Sequence, residues 1–163
     1  MSPDQRAIAD MFDSVSLGSP ENAVGFVMWR IAHRYQREVD QALRPHGLTH
    51  LQFVTLALVA WMERDDGPAS QAEVARFGDI HPMQVSTVMK ALEQKALIQR
   101  MPIPGNGPAK SVKATSGGIA SLRIALPLVI EVQHRLFGPD GRPGGSFLQI
   151  LLQLDRAADA AKA

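Results

Sequence analysis

The stretch Ser70–Arg100, SQAEVARFGDIHPMQVSTVMKALEQKALIQR, decides how the rest of the chain is read. Ser70 and Glu73 form a capping box, in which a serine hydroxyl accepts from the N3 amide and an N3 carboxylate reaches back to the serine amide. A short helix is therefore expected from Gln71 to about Phe77. Gly78-Asp79-Ile80 reads as a tight turn, and Pro82 opens a second helix ending near Lys95. Val85, Val88, Met89 and Leu92 recur at spacings of three and four, so one side of that helix faces a core. The other side shows Gln84, Ser86, Thr87 and Lys90, with His81 and Met83 at its N-terminal end. Such polar side chains can reach base edges when a helix lies in the major groove of DNA. Beyond it, Leu97 to Met101 and Lys110 to Ala114 read as two short strands around a Pro/Gly loop. Two crossed helices followed by a basic hairpin make a winged helix-turn-helix.

The charge distribution agrees with that reading. Of 17 basic and 16 acidic residues, five basic (Lys90, Lys95, Arg100, Lys110, Lys113) and one acidic (Glu93) fall between His81 and Lys113. That segment carries +4 on a chain whose net charge is +1. A local basic strip on an acidic body suits a polyanion such as double-stranded DNA.

Working outward, helix starts are legible from three more boxes: Ser2-x-x-Gln5, Thr49-x-x-Gln52 and Ser146-x-x-Gln149. A short arm is expected from Pro3 to about Phe12. A long helix follows from Pro20 to about Leu43, striped by Val24, Met28, Ile31, Tyr35, Val39 and Ala42 and ended by Pro45 and Gly47. The helix from His50 to about Arg64 is apolar nearly all round, as a central helix should be. Thr115 starts a helix of about Ser116 to Phe137, in which Pro127 should cause a kink or break. A last helix runs from Phe147 to about Ala160 and carries Leu148, Leu151, Leu152 and Leu154. The expected fold is mainly α: a three-helix core plus a β-hairpin wing, with N- and C-terminal helices forming a dimerisation domain.

Composition excludes several classes. With 45% apolar and 20% charged residues the chain is an ordinary globular protein, and with no cysteine it has no disulfide, thiolate metal site or cysteine nucleophile. The start MSPDQRAIADMF lacks the basic-then-apolar layout of a signal peptide. The longest apolar stretch, Leu51–Met62, falls short of the roughly 20 residues that cross a bilayer. A soluble cytoplasmic protein without a membrane partner is expected. No metal is expected either, because a turn at Gly47 separates His46 from His50 and no close carboxylate or cysteine completes a site. None of the GxSxG, P-loop, HExxH or dinucleotide motifs occurs, so neither an enzyme nor a cofactor is expected.

Three passages together resemble the MarR family of bacterial regulators: RPHGLTHLQFVTLALV (44–59), the Ser70–Arg100 stretch, and AKSVKATSGG (109–118), which is similar to that family's stretch ending Leu-Thr-x-x-Gly. The resemblance runs from about Glu21 to Ala160. It implies residues 1–19 as an arm, 20–47 and 116–163 as a helical dimerisation region, and 48–115 as the DNA-binding region. A homodimer would then offer a winged helix to each half of a pseudo-palindromic operator, as a repressor relieved by a small aromatic carboxylate or phenolic ligand. The DNA-binding candidates are Ser70, His81, Gln84, Ser86, Thr87, Lys90, Arg100, Lys110 and Lys113. For the ligand, Trp29, Arg30, His33 and Arg34 cluster on one turn of the first long helix and Phe53 lies near the start of the next, giving an apolar slot plus cations.

Two positions depart from the family. Its wing tip commonly carries Asp-x-Arg, with the arginine in the minor groove; here the positions are Asn106 and Pro108. Ala96 stands where the family favours glycine between recognition helix and strand. The departing wing favours an alternative function, a winged-helix protein with weakened DNA binding that acts through protein contacts.

Overall fold

The computed structural model describes residues 2–102 and 110–160, apart from the side chains of Asp65 and Asp66. Asn106 and Pro108 lie outside the described residues. Among the described residues, seven helices and three short strands follow in order: α1 Pro3–Val15, α2 Val24–Leu43, α3 His50–Asp66, β1 Ala69–Ser70, α4 Gln71–Phe77, α5 Pro82–Gln94, β2 Ile98–Pro102, β3 Lys110–Ala114, α6 Ser116–Phe137 and α7 Ser146–Ala160. Turns of 3-10 helix at Pro20–Asn22, Arg44–His46 and Pro139–Gly141 join some of them. The mainly helical winged-helix architecture expected from the sequence is the one observed.

Three of the four capping boxes close on both sides, at Ser2/Gln5, Thr49/Gln52 and Ser70/Glu73. The fourth does not. Ser146 lies inside the first turn of α7 and its hydroxyl donates to Asp140 Oδ1 at 2.9 Å, so it is spent on the preceding loop. The long N-terminal helix also starts later than Pro20. Ser19 makes no side-chain cap bond, and Ala23 is extended (φ −88°, ψ 100°), which separates the Pro20 turn from α2. Pro127 does not break α6, which is helical from Ser116 to Phe137. Leu122, Ala125, Val129 and Val132 bury one face of that helix, while Pro127 and Arg123 lie on its exposed side. There water can reach the Arg123 carbonyl that proline leaves without a donor.

Two compact units divide the chain, Met1–Arg37 and Glu38–Ala163. In the first, no described residue is buried, and Val24, Phe26, Met28, Trp29 and Ile31 of α2 are exposed. In the second, the core is built from Val39 and Leu43 of α2, Phe53, Leu56 and Val59 of α3, Val74 of α4, Val85, Met89 and Leu92 of α5, Ile98 and Val112 of the sheet, and the buried face of α6.

The sheet has the order β1-β3-β2, antiparallel throughout. Its third strand, β1, was not expected, since two residues show no periodicity. The register pairs Ile98 with Ala114, Arg100 with Val112 and Pro102 with Lys110 on one face, and Gln99 with Lys113 and Met101 with Ser111 on the other. Thr115 joins wing to α6: its hydroxyl donates to the Ala96 carbonyl at 2.7 Å and accepts from the Gly118 amide at 3.0 Å. A β-carbon on Gly118 would stand 2.1 Å from the Leu97 carbonyl oxygen, so only glycine permits this approach.

Candidate nucleic-acid interface

The Ser70/Glu73 box opens α4, and the Arg76–Asp79 turn swings the chain into α5. The Ile80 amide donates to the Ala75 carbonyl at 2.9 Å, and Asp79 takes φ +47°. Gly78 has an ordinary negative φ; its requirement is space, since a β-carbon would meet Leu58 Cδ1 at 2.8 Å. His81 caps α5, its Nδ1 accepting from the Met83 amide at 3.2 Å. Because that partner is a backbone donor, the neutral ring carries its proton on Nε2, which is the nitrogen left for an acceptor outside the helix.

Val85, Met89 and Leu92 turn one face of α5 into the core. At 3.6 residues per turn, Gln84 and Ser86 lie about 200° apart, on opposite flanks. Thr87 and Met83 share the crest between them, joined by a bond from the Thr87 hydroxyl to the Met83 carbonyl at 3.0 Å. Met83 is 74% exposed. The three candidate base-reading residues therefore span the outward half of the helix rather than a single line.

Between α4, α5 and the hairpin lies a concavity of about 1050 Å³, lined among others by Ser70, Arg76, His81, Ser86, Lys90, Arg100 and Lys110. It gathers six of the nine DNA-binding candidates. Lys113 is not among them: the pleat puts it with Gln99 on the other face of the hairpin from Lys110. Gln84 and Thr87 are exposed outside the concavity. Arg76, which also lines it, was missed because the charge count began at His81, and Gln71 because it was read only as the first residue of α4. Their positions on the capped helix α4 were the available signal.

Two of the five basic residues in the strip are engaged within the protein. Lys95 Nζ donates to the Gly47 carbonyl at 2.6 Å and to Gln52 Oε1 at 2.8 Å, pinning the end of α5 to the start of α3. Arg100 is paired with Glu93. The Arg100 hydrogen bond, then Lys110 among the weaker attractions, hold the Glu93 carboxyl below the usual carboxylate range. The Glu73 carboxyl is lowered as well, first by its backbone bond at the Ser70 cap.

The ligand candidates divide between the two units. On α2, Trp29 and His33 rings lie 4.1 Å apart, and His33 Nδ1 is 2.8 Å from the Trp29 carbonyl oxygen. Phe26, which sequence reading missed, stacks with Trp29 at 6.3 Å and lies 5.6 Å under the Arg30 guanidinium. Arg34 is exposed on the same helix. Phe53 is a core residue of the second unit, 6% exposed. Among the described residues, no group of three or more His, Asp or Glu side chains could hold a metal ion, and no helix is long and apolar enough to cross a membrane.

Residues 48–107 match the MarR family. The HTH-type transcriptional regulator YdcH of Bacillus subtilis is 31% identical over 118 residues, 72% of this chain and 80% of that one. The HTH-type transcriptional repressor Rv2887 of Mycobacterium tuberculosis is 28% identical over 123 residues, 73% of this chain and 86% of that one. A solved structure of Rv2887 in complex with salicylic acid superposes with a TM-score of 0.59, covering 80% of this chain and 95% of that one. A MarR-family transcriptional regulator from Rhodococcus sp. RHA1 superposes with a TM-score of 0.72 at 25% identity, covering 89% and 96%.

Proposed function

The chain belongs to the MarR family of winged helix-turn-helix transcriptional regulators, and from that premise we propose that it is a repressor that binds an operator as a homodimer and releases it when a small aromatic acid binds. The observation that carries this reading is the concavity in which the recognition helix α5 and the wing present Lys90, Lys110 and His81 beside Ser86 and Arg76. Ser86 inside it, and Gln84 and Thr87 on the exposed face of α5 outside it, read base edges, and Met83 offers apolar surface to a thymine methyl. His81, Lys90 and Lys110 hold phosphates, the Ser70 hydroxyl adds a backbone contact, and Lys113 meets the backbone from the hairpin's other face. The protein acts by occupancy rather than catalysis, in the cytoplasm where bacterial DNA lies.

Residues 48–115 form the DNA-binding region, 20–47 and 116–163 the dimerisation region, and 1–19 an arm. Supporting the dimer are the apolar residues α2 and α7 leave uncovered, Val24, Met28 and Ile31 on one and Ile150, Leu151, Leu152 and Leu154 on the other. Helices of this length are marginal in water unless such a stripe is buried. Trp29, Arg30, His33 and Arg34 on α2 form the ligand site. Its support is the stacked ring and guanidinium cluster on α2, together with the salicylic acid bound by the relative Rv2887.

The test is a titration of the full chain against a duplex selected from a random pool and against random DNA, at several salt concentrations. Removing Lys90 or Lys110 should weaken binding to both and lower the salt slope by about 1. Changing Gln84 should cost about 1–3 kcal/mol on the selected duplex and relax one position. Salicylate should weaken the wild-type complex, and Arg30→Ala should blunt that response without changing affinity in its absence. Equal, weak binding of both duplexes at every salt would refute repression by operator binding.

A further inference from the structure

Arg100 stands among the cations that a winged helix lays along DNA, yet its guanidinium is turned inward. Its side chain is 10% exposed. Nε donates to Glu93 Oε2 at 3.0 Å, and Nη2 donates to the same oxygen. Glu93 lies in the last turn of the recognition helix and Arg100 in the middle of β2, so the pair ties helix to wing. The register explains the direction. Arg100 sits opposite the fully buried Val112, so both side chains leave the sheet on its core face. Lys110, two positions along β3 from Val112, leaves on that face too and attracts Glu93 from the second strand. One carboxylate on the helix thereby pairs with a cation of β2 and is attracted more weakly by one on β3.

We propose that Arg100 is a positioning residue and not a phosphate ligand: paired with Glu93, it sets the wing against the recognition helix so that helix and hairpin meet one duplex in register. The proposal rests on the DNA-binding reading of the concavity and adds a division of labour within it. A guanidinium covered to this degree, with Nε and Nη2 both committed to a carboxylate on the neighbouring element, has little surface left for a phosphate. What it fixes instead is the spacing between Lys90 on the helix and Lys110 on the wing.

The two roles give opposite signs for Glu93→Gln. Were Arg100 a phosphate ligand, the change would release a cation and remove a negative charge beside the DNA, so every duplex would bind more tightly. A positioning role requires that the selected duplex lose affinity relative to random DNA, because sequence preference depends on register while bulk attraction does not. The experiment uses the full chain, a duplex enriched by it from a random pool, and a random duplex, titrated at several salt concentrations. Variants are Glu93→Gln, Arg100→Lys, Arg100→Ala and the exchange Glu93→Arg with Arg100→Glu, each checked by circular dichroism and thermal melting. We expect Glu93→Gln to lower the selected-to-random ratio about tenfold, the worth of one charge-assisted hydrogen bond. The exchange should restore part of that ratio, and Arg100→Ala should leave the salt slope unchanged. If Arg100→Ala does not fold, Glu93→Gln and the Arg100→Lys slope decide the matter. A ratio that Glu93→Gln leaves equal or raises, or a slope that falls by about 1 in Arg100→Ala, overturns the proposal while DNA binding stands. A wild-type chain that enriches no duplex removes the DNA reading and this proposal together.

Discussion

Replacing Ala96 by glycine should stabilise the protein, because Ala96 holds a backbone conformation that its own β-carbon opposes. It stands at φ +56° between the end of α5 and the start of β2. Its amide donates to the Glu93 carbonyl at 2.9 Å, and its carbonyl accepts from the Thr115 hydroxyl at 2.7 Å. Both bonds use backbone atoms that glycine keeps. The residue is exposed, so its methyl group contributes little packing. An alanine in the left-handed region costs about 1–2 kcal/mol. Glycine removes that strain but loosens the unfolded chain by about 0.4–1 kcal/mol. The difference is a net gain of about 0.5–1 kcal/mol, or about 1–4 °C in Tm for a chain of this size. Urea unfolding at one fixed protein concentration is the assay, since a dimer's stability depends on concentration. The midpoint should rise with the slope m unchanged. A lower midpoint at the same slope would refute the argument, since it would mean that the left-handed turn is not strained or that the methyl group packs.

The neighbouring Gly118→Ala should act in the opposite direction, losing about 3 kcal/mol in the same urea assay, because the new methyl meets the Leu97 backbone and not a movable side chain. Thr55 is fully buried on α3 with its hydroxyl unpartnered; Thr55→Val keeps the shape and should gain about 1 kcal/mol, seen as a higher Tm. Stability should also fall with acid in two stages, followed as Tm against pH. Burial lowers the His50 pKa below 6.5, so its contribution is complete above pH 6.5 and is lost as pH falls toward the folded value. The lowered Glu73 and Glu93 contribute fully above pH 4.5 and lose that contribution below it. His50→Gln should remove the first stage, and a Tm profile unaltered by that change would count against it.

The parts of the fold that were legible are those set by local chemistry. Three capping boxes placed α1, α3 and α4 because the bonds that start a helix join residues three apart. The start of α6 was legible for the same reason, with Thr115 as its cap. The failures occur where a local signal meets a tertiary competitor. Ser146 has the sequence of a cap, but Asp140, brought close by the Pro139–Gly141 turn, takes its hydroxyl. Pro127 has the sequence of a break, but the buried face of α6 holds the helix together around it. The strand β1 exists only because β3 pairs with it, and two residues cannot announce that.

The candidate site was legible in the same uneven way. Periodicity sorted α5 into a core face and an outward face, and the structure keeps that division. Counting charge sorted nothing further, because a count treats all five cations of the strip alike. Their fates differ: Lys95 closes the gap to α3, Arg100 turns to Glu93, Lys90 and Lys110 line the concavity, and Lys113 lies on the other face of the hairpin. One of these distinctions needed no tertiary knowledge. Lys110 and Lys113 are three residues apart on a strand, and an odd separation across a pleat puts two side chains on opposite faces. The remaining distinctions depend on packing between elements, which brings Gln52 within reach of Lys95 and Glu93 within reach of Arg100. A basic strip therefore gives an upper limit on the cations a winged helix can offer to DNA. Here part of that charge is spent on holding the helix and wing in the register that the other cations require.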